Sequence, residues 1–348
     1  MEKVPNPATI RDVANLARVG VGTVSRVLNG GNHVSGPTRE RVMAAISRLH
    51  FRPHAQARRI LRNTEMVCFL LSNRDFLHSF HARVLQGVVT CARDLSQHVV
   101  FAVVHYSEKT PPEKIPLPPI LKERGWVDGL VLAGTIYPNF VEYIQSLHVP
   151  FVMFGNNLFG PKRLLRYDQV SFDGCKAEFE ATQYVVQHGH RTIAFVGDTY
   201  YPWFRERHRG YLRAMESSGL EPMAVTERRP GSISEYGEWA ASQVLAFRPR
   251  PSAVICGNDE IAHGLWRSFS KVGVSVPDDM SLVGFDDREE ALLMDPHLTT
   301  VRVNSDGIGQ SLMKLLLKKL HQPGVRLTKE VIPTEMIIRG TVKRLSAG

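Results

Sequence analysis

Residues 21–28, VGTVSRVL, set two hydroxyls and a guanidinium beside an apolar stripe. Val24, Val27 and Leu28 recur at helical spacing, so they face a core, and Thr23, Ser25 and Arg26 project from the other faces. Hydroxyls of this kind bond phosphate oxygens, and an arginine fork can do the same or take the edge of a guanine. Gly20 stands in the preceding turn at the N-cap, where glycine is acceptable though poorer than serine or asparagine. Gly22 falls in the first helical turn. There a missing side chain costs up to about 1 kcal/mol at an interior position, but it lets the backbone come close to a partner.

Other chemistry is sparse. No GxSxG, HExxH or P-loop occurs, nor a GxGxxG between strand and helix. SFDG and GFDD are acidic and read as turns at strand ends. Cys68, Cys91, Cys175 and Cys256 stand far apart, with no CxxC and no nearby histidine pair. A disulfide framework or zinc site is not expected, and the thiols read as buried and reduced. Catalysis and a cofactor are not expected either.

The elements around VGTVSRVL form a small unit. Thr9 and Asp12 have capping-box spacing, and Ile10, Val13, Ala14 and Ala17 share a helical face. The pattern breaks at Arg18-Val19-Gly20, resumes at Val21, and stops at Asn29-Gly30-Gly31, whose residues accept a left-handed helix end. A third helix follows, with Ser35 as cap, Pro37 in its first turn, and Val42, Ile46 and Leu49 as its stripe. Two short helices joined by a tight turn and closed by a third make a helix-turn-helix, whose second helix is the one offered to a major groove. Residues 1–64 carry eleven Lys/Arg against three Asp/Glu, a net +8 out of +9 for all 348 residues. A positive head on a nearly neutral body suggests a polyanion-binding module joined to something else. The length allows two or three units. No apolar run is long enough to span a membrane, and MEKVPNPATIRD lacks the apolar core of a secretory signal, so a cytoplasmic location is expected.

The stretch TIRDVANLARVGVGTVSRVLNG, the following HVS and TRERV, and the Phe-x-Pro at 51–53 resemble the lactose/galactose-repressor (LacI-type) family of bacterial transcription regulators. The resemblance implies that Val21, Gly22 and Arg26 read operator bases, Val21 by packing on a thymine methyl and Arg26 by bonding a guanine. It assigns Thr23, Ser25, Asn29, His33 and Thr38 to phosphate or groove-edge contacts. It also implies a hinge at 51–64 that folds on DNA, with Ile60 as a minor-groove wedge, Ala57 beneath it and Arg58 on phosphate. This chain departs from the family at Gly20, where serine is usual, and at His54, where asparagine is usual.

Beyond residue 65, buried-strand runs alternate with amphipathic stretches. MVCFLL (66–71), VVFAVV (99–104), GLVLAG (129–134) and PFVMFG (150–155) form one series. TIAFVG (192–197), SAVICG (252–257) and SLVGFD (281–286) form a second. Such alternation means parallel sheets with helices on both faces, here an α/β body of two lobes behind an all-α head. Ligands in such sheets sit beyond the strand C-termini, which places them in the cleft between lobes.

RERHRGYLRAM, GNDEIAHG, SLVGFDD and DPHLTTVR resemble the periplasmic-binding-protein-like effector domain of the same family, so the resemblance covers nearly the whole chain. It implies domains at 1–50, 51–64 and 65–348, with lobe crossings near 165–170, 297–304 and 325–332. Arg207 and Asp259 are its implied effector residues, opposed across the cleft and suited to a polyhydroxylated, sugar-like ligand. Phe80 and His81 take the positions of an aromatic pair, Tyr201 and Trp203 precede Arg207 in a loop facing the cleft, and Asn156 stands where the family often has an acid. The implied protein is a homodimeric repressor of double-stranded operator DNA. The alternatives are a sugar-binding protein with no regulatory role and a corepressor-dependent regulator that responds to a non-sugar ligand. Only TVKRLSAG follows VIPTEMIIRG, which favours a dimer over a tetramer.

Overall fold

Helices α1 (Ile10–Ala17), α2 (Val21–Leu28) and α3 (Gly36–Arg48) form the N-terminal unit of the computed structural model, which describes residues 9–28, 34–49, 64–74, 79–122, 125–160, 167–322 and 327–345. The Thr9–Asp12 box closes α1, with Thr9 N–H donating to Asp12 Oδ2 at 2.7 Å and Asp12 N–H to Thr9 Oγ1 at 3.3 Å. Arg18, left-handed at φ 54°, reverses the chain after α1. Val13, Ala14, Ala17, Val24, Val27, Val42 and Ala45 are buried together, and Ile46 and Leu49 pack against them. Ser35 is the N-cap residue of α3, as expected, but without a side-chain cap bond. Its hydroxyl donates to Thr38 Oγ1 at 2.9 Å. The hinge residues Ala57, Arg58 and Ile60, with Asn29 and His33, lie outside the described residues.

Chain contacts divide the protein into a unit of Met1–Met66 with Ile120–Asp128 and a unit of Val67–Pro119 with Gly129–Gly348. In the first unit, both carboxylate oxygens of Asp128 accept the Thr64 N–H, at 2.9 and 2.8 Å.

The second unit is a pair of lobes. In chain order its elements are β1 (Met66–Ser72), α4 (Ser79–Asp94), β2 (His98–Val104), β3 (Gly129–Gly134), α6 (Pro138–Ser146), β4 (Phe151–Phe154), β5 (Asp168–Ser171) and α7 (Gly174–Gln187), and the single turn α5 (Pro119–Lys122) before β3 falls in the first unit from Ile120 on. There follow β6 (Ile193–Val196), α8 (Pro202–Ser217), β7 (Met223–Val225), α9 (Ile233–Ala246), β8 (Ala253–Cys256), α10 (Asp259–Lys271) and β9 (Ser281–Asp286). The last are β10 (Thr299–Val303), α11 (Ser305–His321), β11 (Lys329–Val331) and β12 (Thr334–Ile337).

One sheet runs β11-β5-β4-β3-β1-β2 and the other β12-β10-β9-β8-β6-β7. Interior pairings are parallel, with β1 on β3 in unbroken register from Val67↔Gly129 to Ser72↔Gly134, while β12 is antiparallel to β10. Strands β3 and β9 are buried throughout, because helices cover both faces. The alternation is visible in β8, where Ala253 and Ile255 join one core and Val254 and Cys256 the other. Helices α4 and α11 cross at Gly87 and Gly309. A Cβ on Gly309 would stand 2.8 Å from Val88 N and 2.9 Å from Gly87 Cα, so the close approach requires glycine.

The chain passes between lobes after β5, after β10 and between β11 and β12. The first passage therefore follows Ser171 and lies beyond the expected 165–170, because β5 still pairs with β4. The other two, near 304 and 332–333, fall at the ends of their windows.

Candidate functional site

In the head, Val24 and Val27 are buried, Val21, Gly22 and Arg26 are exposed, and Thr23 and Ser25 are half-buried. Val21 is 42% exposed. Thr38, on the first turn of α3, accepts from Ser35 Oγ and, at 3.4 Å, from Arg41 Nη2. A Cβ built on Gly20 or Gly22 meets nothing within 4 Å, and neither residue has a positive φ. The head's own fold therefore does not require either glycine. Both keep open a surface beside the exposed guanidinium of Arg26.

In the body, residues just after β1, β4, β5 and β8 and the last residue of β9 line the space between the lobes. Its floor is a row of rings that passes from one lobe to the other: Phe80 to Phe154 at 5.4 Å, Phe154 to Phe172 at 6.1 Å, and Phe172 to Phe285 at 6.0 Å. Arg207, on α8 and 3% exposed, lies with its guanidinium 3.7 Å from the Phe285 ring centre. It donates to Gly257 O and, at 2.7 Å, to Asp286 Oδ1. Burial pushes the Asp286 carboxyl up, and Arg207 and Arg288 pull it back toward the charged form. Beneath this pair Glu178 is buried, with Oε2 making no hydrogen bond. Desolvation raises its pKa to about 8 against the opposing pull of Arg207.

The other wall is aromatic and amide. Asn157 Nδ2 lies 3.2 Å from His81 Nε2, and Trp203 stacks on Tyr201 at 4.7 Å. Arg74 lies over the Trp203 ring at 4.8 Å and donates from Nε to Thr135 Oγ1 at 3.1 Å. Of the residues singled out in the sequence, Phe80, His81, Trp203 and Arg207 line the cleft, joined by Arg74, Asn157, Phe172, Asn258 and Asp286. The free space among these side chains is about 30 Å³.

Three sequence expectations change. Asp259 does not face Arg207. It is fully buried under the cleft, where Oδ1 accepts from Thr300 Oγ1 at 2.6 Å and Oδ2 from the Arg288 N–H at 2.7 Å. Its neighbour Asn258 reaches the cleft, and Asp286 takes the role of Arg207's partner. Asn156 clamps the end of β5, exchanging bonds with Phe172 N and O at 3.0 and 2.9 Å, and Asn157 lines the cleft in its place. Tyr201 backs Trp203 and is not among the lining residues. The missed Asp286 had a signal in GFDD. It and Asp287 have φ 101° and 52°, a strained strand end of the kind that gathers at working sites.

All four cysteines are buried free thiols, and among the described residues no cluster of His, Cys, Asp or Glu could hold a metal ion. No described helix is long and apolar enough to cross a membrane.

A helix-turn-helix with an exposed reading face, joined to a two-lobed body with a polar and aromatic cleft, is the architecture of a DNA-binding regulator. Residues 9–54 match the family described as bacterial regulatory proteins, lacI family, and residues 182–342 match the periplasmic binding protein-like domain. The HTH-type transcriptional repressor CytR of Escherichia coli (strain K12) is 29% identical over 348 residues, covering 99% of each chain. A solved complex of the transcriptional regulator CelR with cellobiose is similar at 26% identity and TM-score 0.68, covering 96% of this chain and 99% of that one. The lac repressor dimer bound to operator and the anti-inducer ONPF shares the fold at TM-score 0.80 and 24% identity, over 97% of this chain and 100% of that one. Along its length the chain is thus similar to regulators of the lacI family, and its residues 9–54 match that family's own model.

Proposed function

We propose that this chain represses transcription as a homodimer on a near-palindromic duplex, and that a small polyhydroxylated ligand in the cleft sets its affinity for that duplex. The reading is carried by one observation. A single chain joins the open face of α2, with Arg26 exposed, to a cleft built on the Arg207–Asp286 pair. An operator complex of the lac repressor dimer and a cellobiose complex of CelR, both similar in fold, support it. Arg26 takes a guanine edge, Val21 packs on a thymine methyl, and Gly22 admits the duplex closely. Thr23, Ser25 and Thr38, with Asn29 and His33, hold phosphates. Ala57, Arg58 and Ile60 belong to a hinge that enters the minor groove. A two-fold protein reads two-fold DNA, which sets the near-palindrome. Arg207 and Asp286 bond ligand hydroxyls, Asn157 and Asn258 add neutral donors and acceptors, and Phe80, His81 and Trp203 supply the walls. The protein works in the cytoplasm, with the chromosome.

The test is selection of bound duplexes from a random pool, with and without a panel of sugars and nucleobases. The expected result is a palindromic site with a deformable centre whose recovery one ligand changes. Arg26→Ala should then lose preference at one base position while keeping salt-sensitive binding to any duplex. Failure to enrich any site under every condition would refute the regulator reading.

A further inference from the structure

The two lobes are tied at the rim of the cleft by one buried arginine that touches nothing in the cleft itself. Arg288, 5% exposed, follows the Asp286-Asp287 turn of the second lobe. Its own lobe holds it at three points: the backbone N–H donates to Asp259 Oδ2 at 2.7 Å, and the guanidinium meets Glu260 at 2.6 Å and Glu290 at 3.1 Å. Toward the other lobe it makes a different kind of bond. Nε donates to Ser79 Oγ at 2.7 Å, a neutral hydroxyl at the start of α4. Ser79 directly precedes Phe80 and His81, which line the cleft, and Arg288 stands two residues after Asp286, which pairs with Arg207. A second tie, Arg83 to Glu289 at 3.7 Å and to Asp287 O at 3.5 Å, joins the same two segments, but its side chains are 41% and 80% exposed.

We propose that Arg288 and Ser79 form a clasp that holds the cleft shut, with Arg288 as a positioning residue whose release lets the lobes part and ligand enter. The asymmetry makes it a clasp and not a permanent strut. Two carboxylates fix the guanidinium on its own lobe and a third holds the Arg288 backbone, whereas toward the other lobe Arg288 has to give up one hydrogen bond to a neutral hydroxyl. Buried charge-assisted bonds are strong and exposed ion pairs weak, so opening leaves Arg288 in place and costs chiefly the Ser79 bond. Asp259 acquires a role here. It sets the Arg288 backbone from beneath, which accounts for a buried carboxylate close to the cleft that never reaches it. The inference deepens the reading of the cleft as the ligand site and rests on it.

The test needs neither operator nor ligand, so its failure is separate from that of the regulator reading. Acrylamide quenching is measured on the full chain and on Ser79→Ala, each with and without Trp203→Phe, so that the part lost with Trp203 reports cleft exposure. Trp203 is 8% exposed in the closed cleft. One net hydrogen bond shifts a two-state equilibrium by roughly two- to tenfold. Ser79→Ala should therefore raise the Trp203-specific quenching constant by about twofold or more, with an unchanged melting temperature. Arg83→Ala, which cuts the exposed tie, should leave it within error. A merely structural Ser79 would lower the melting temperature and leave native-state quenching alone. Unchanged Trp203 quenching in Ser79→Ala, or an equal rise in Arg83→Ala, would overturn the clasp.

Discussion

Two residues show how far side-chain types can be read without a structure. Gly22 was legible as a cost, and the structure shows that the free head does not need it, since a Cβ there meets nothing within 4 Å. Gly22→Ala should therefore stabilise the isolated fold by up to about 1 kcal/mol through helix propensity. It should at the same time weaken binding to the selected operator. Thermal melting and a titration with labelled duplex check the two halves, and a variant that binds the operator as tightly as the parent would remove Gly22 from the interface. Asp259 was misread for a local reason. In GNDE the acid is the obvious partner for a sugar, but Asn258 is the extended N-cap that faces the cleft, and Asp259 begins the helix pointing down toward β9 and β10. Nothing in residue type tells which of two neighbours faces which way. Asp259→Ala should cost about 1–3 kcal/mol by orphaning the Thr300 hydroxyl and the Arg288 N–H. Asp259→Asn, which keeps an acceptor and matches the neutral acid favoured by burial, should cost less. Urea titration separates them, and equal losses would show that volume, not hydrogen bonding, is what Asp259 supplies.

Elements with long apolar runs were legible, and those without were not. The seven runs singled out in the sequence became β1, β2, β3, β4, β6, β8 and β9; all but the half-exposed edge strand β2 are buried on both faces, which leaves no room for polar residues. Strand β5 (DQVS) and the short β7, β11 and β12 carried no such run, since they are brief, partly exposed or at sheet edges. That is why the first lobe passage was placed too early. The layer of α7 and α8 behind the cleft also hides a titrating group. Glu178 of α7 is raised from its ordinary 4.5 to about 8, chiefly by burial. A carboxyl raised in the folded state holds its proton more tightly folded than unfolded. Its stabilising contribution is complete below the unfolded value and is lost as pH rises toward about 8, at no more than roughly 1.4 kcal/mol per pH unit. Glu178→Gln cannot ionise, so its stability relative to the parent should increase from pH 5 to pH 8 and level off above. Parallel pH dependence of the two proteins in urea titrations would show that Glu178 does not titrate in this range.

At the scale of the whole molecule, the size of the cleft constrains the order of events. Its roughly 30 Å³ is far below the size of small-molecule pockets, which commonly run from about 300 Å³ upward. The Arg207–Asp286 pair, the ring floor and the Trp203 wall are thus already assembled in the closed arrangement, and a sugar-sized ligand reaches them only after the lobes separate. Domain opening of this kind takes microseconds to milliseconds. Stopped-flow fluorescence of Trp203 with the ligand found by selection should therefore give an observed rate that stops rising with ligand concentration, at a ceiling set by opening. Ser79→Ala should raise that ceiling, because it weakens the bond that opening breaks. A rate that climbs linearly to the mixing limit would mean that ligand enters without the lobes parting, and the closed cleft would then have no part in control. The same opening must be felt at the DNA. If ligand changes operator affinity by some factor, operator must change ligand affinity by that factor, because the two share one equilibrium between lobe arrangements. Measuring the ligand's equilibrium affinity with and without bound duplex gives the sign of the coupling. An affinity lowered by operator makes the ligand an inducer, and an affinity raised by operator makes it a corepressor.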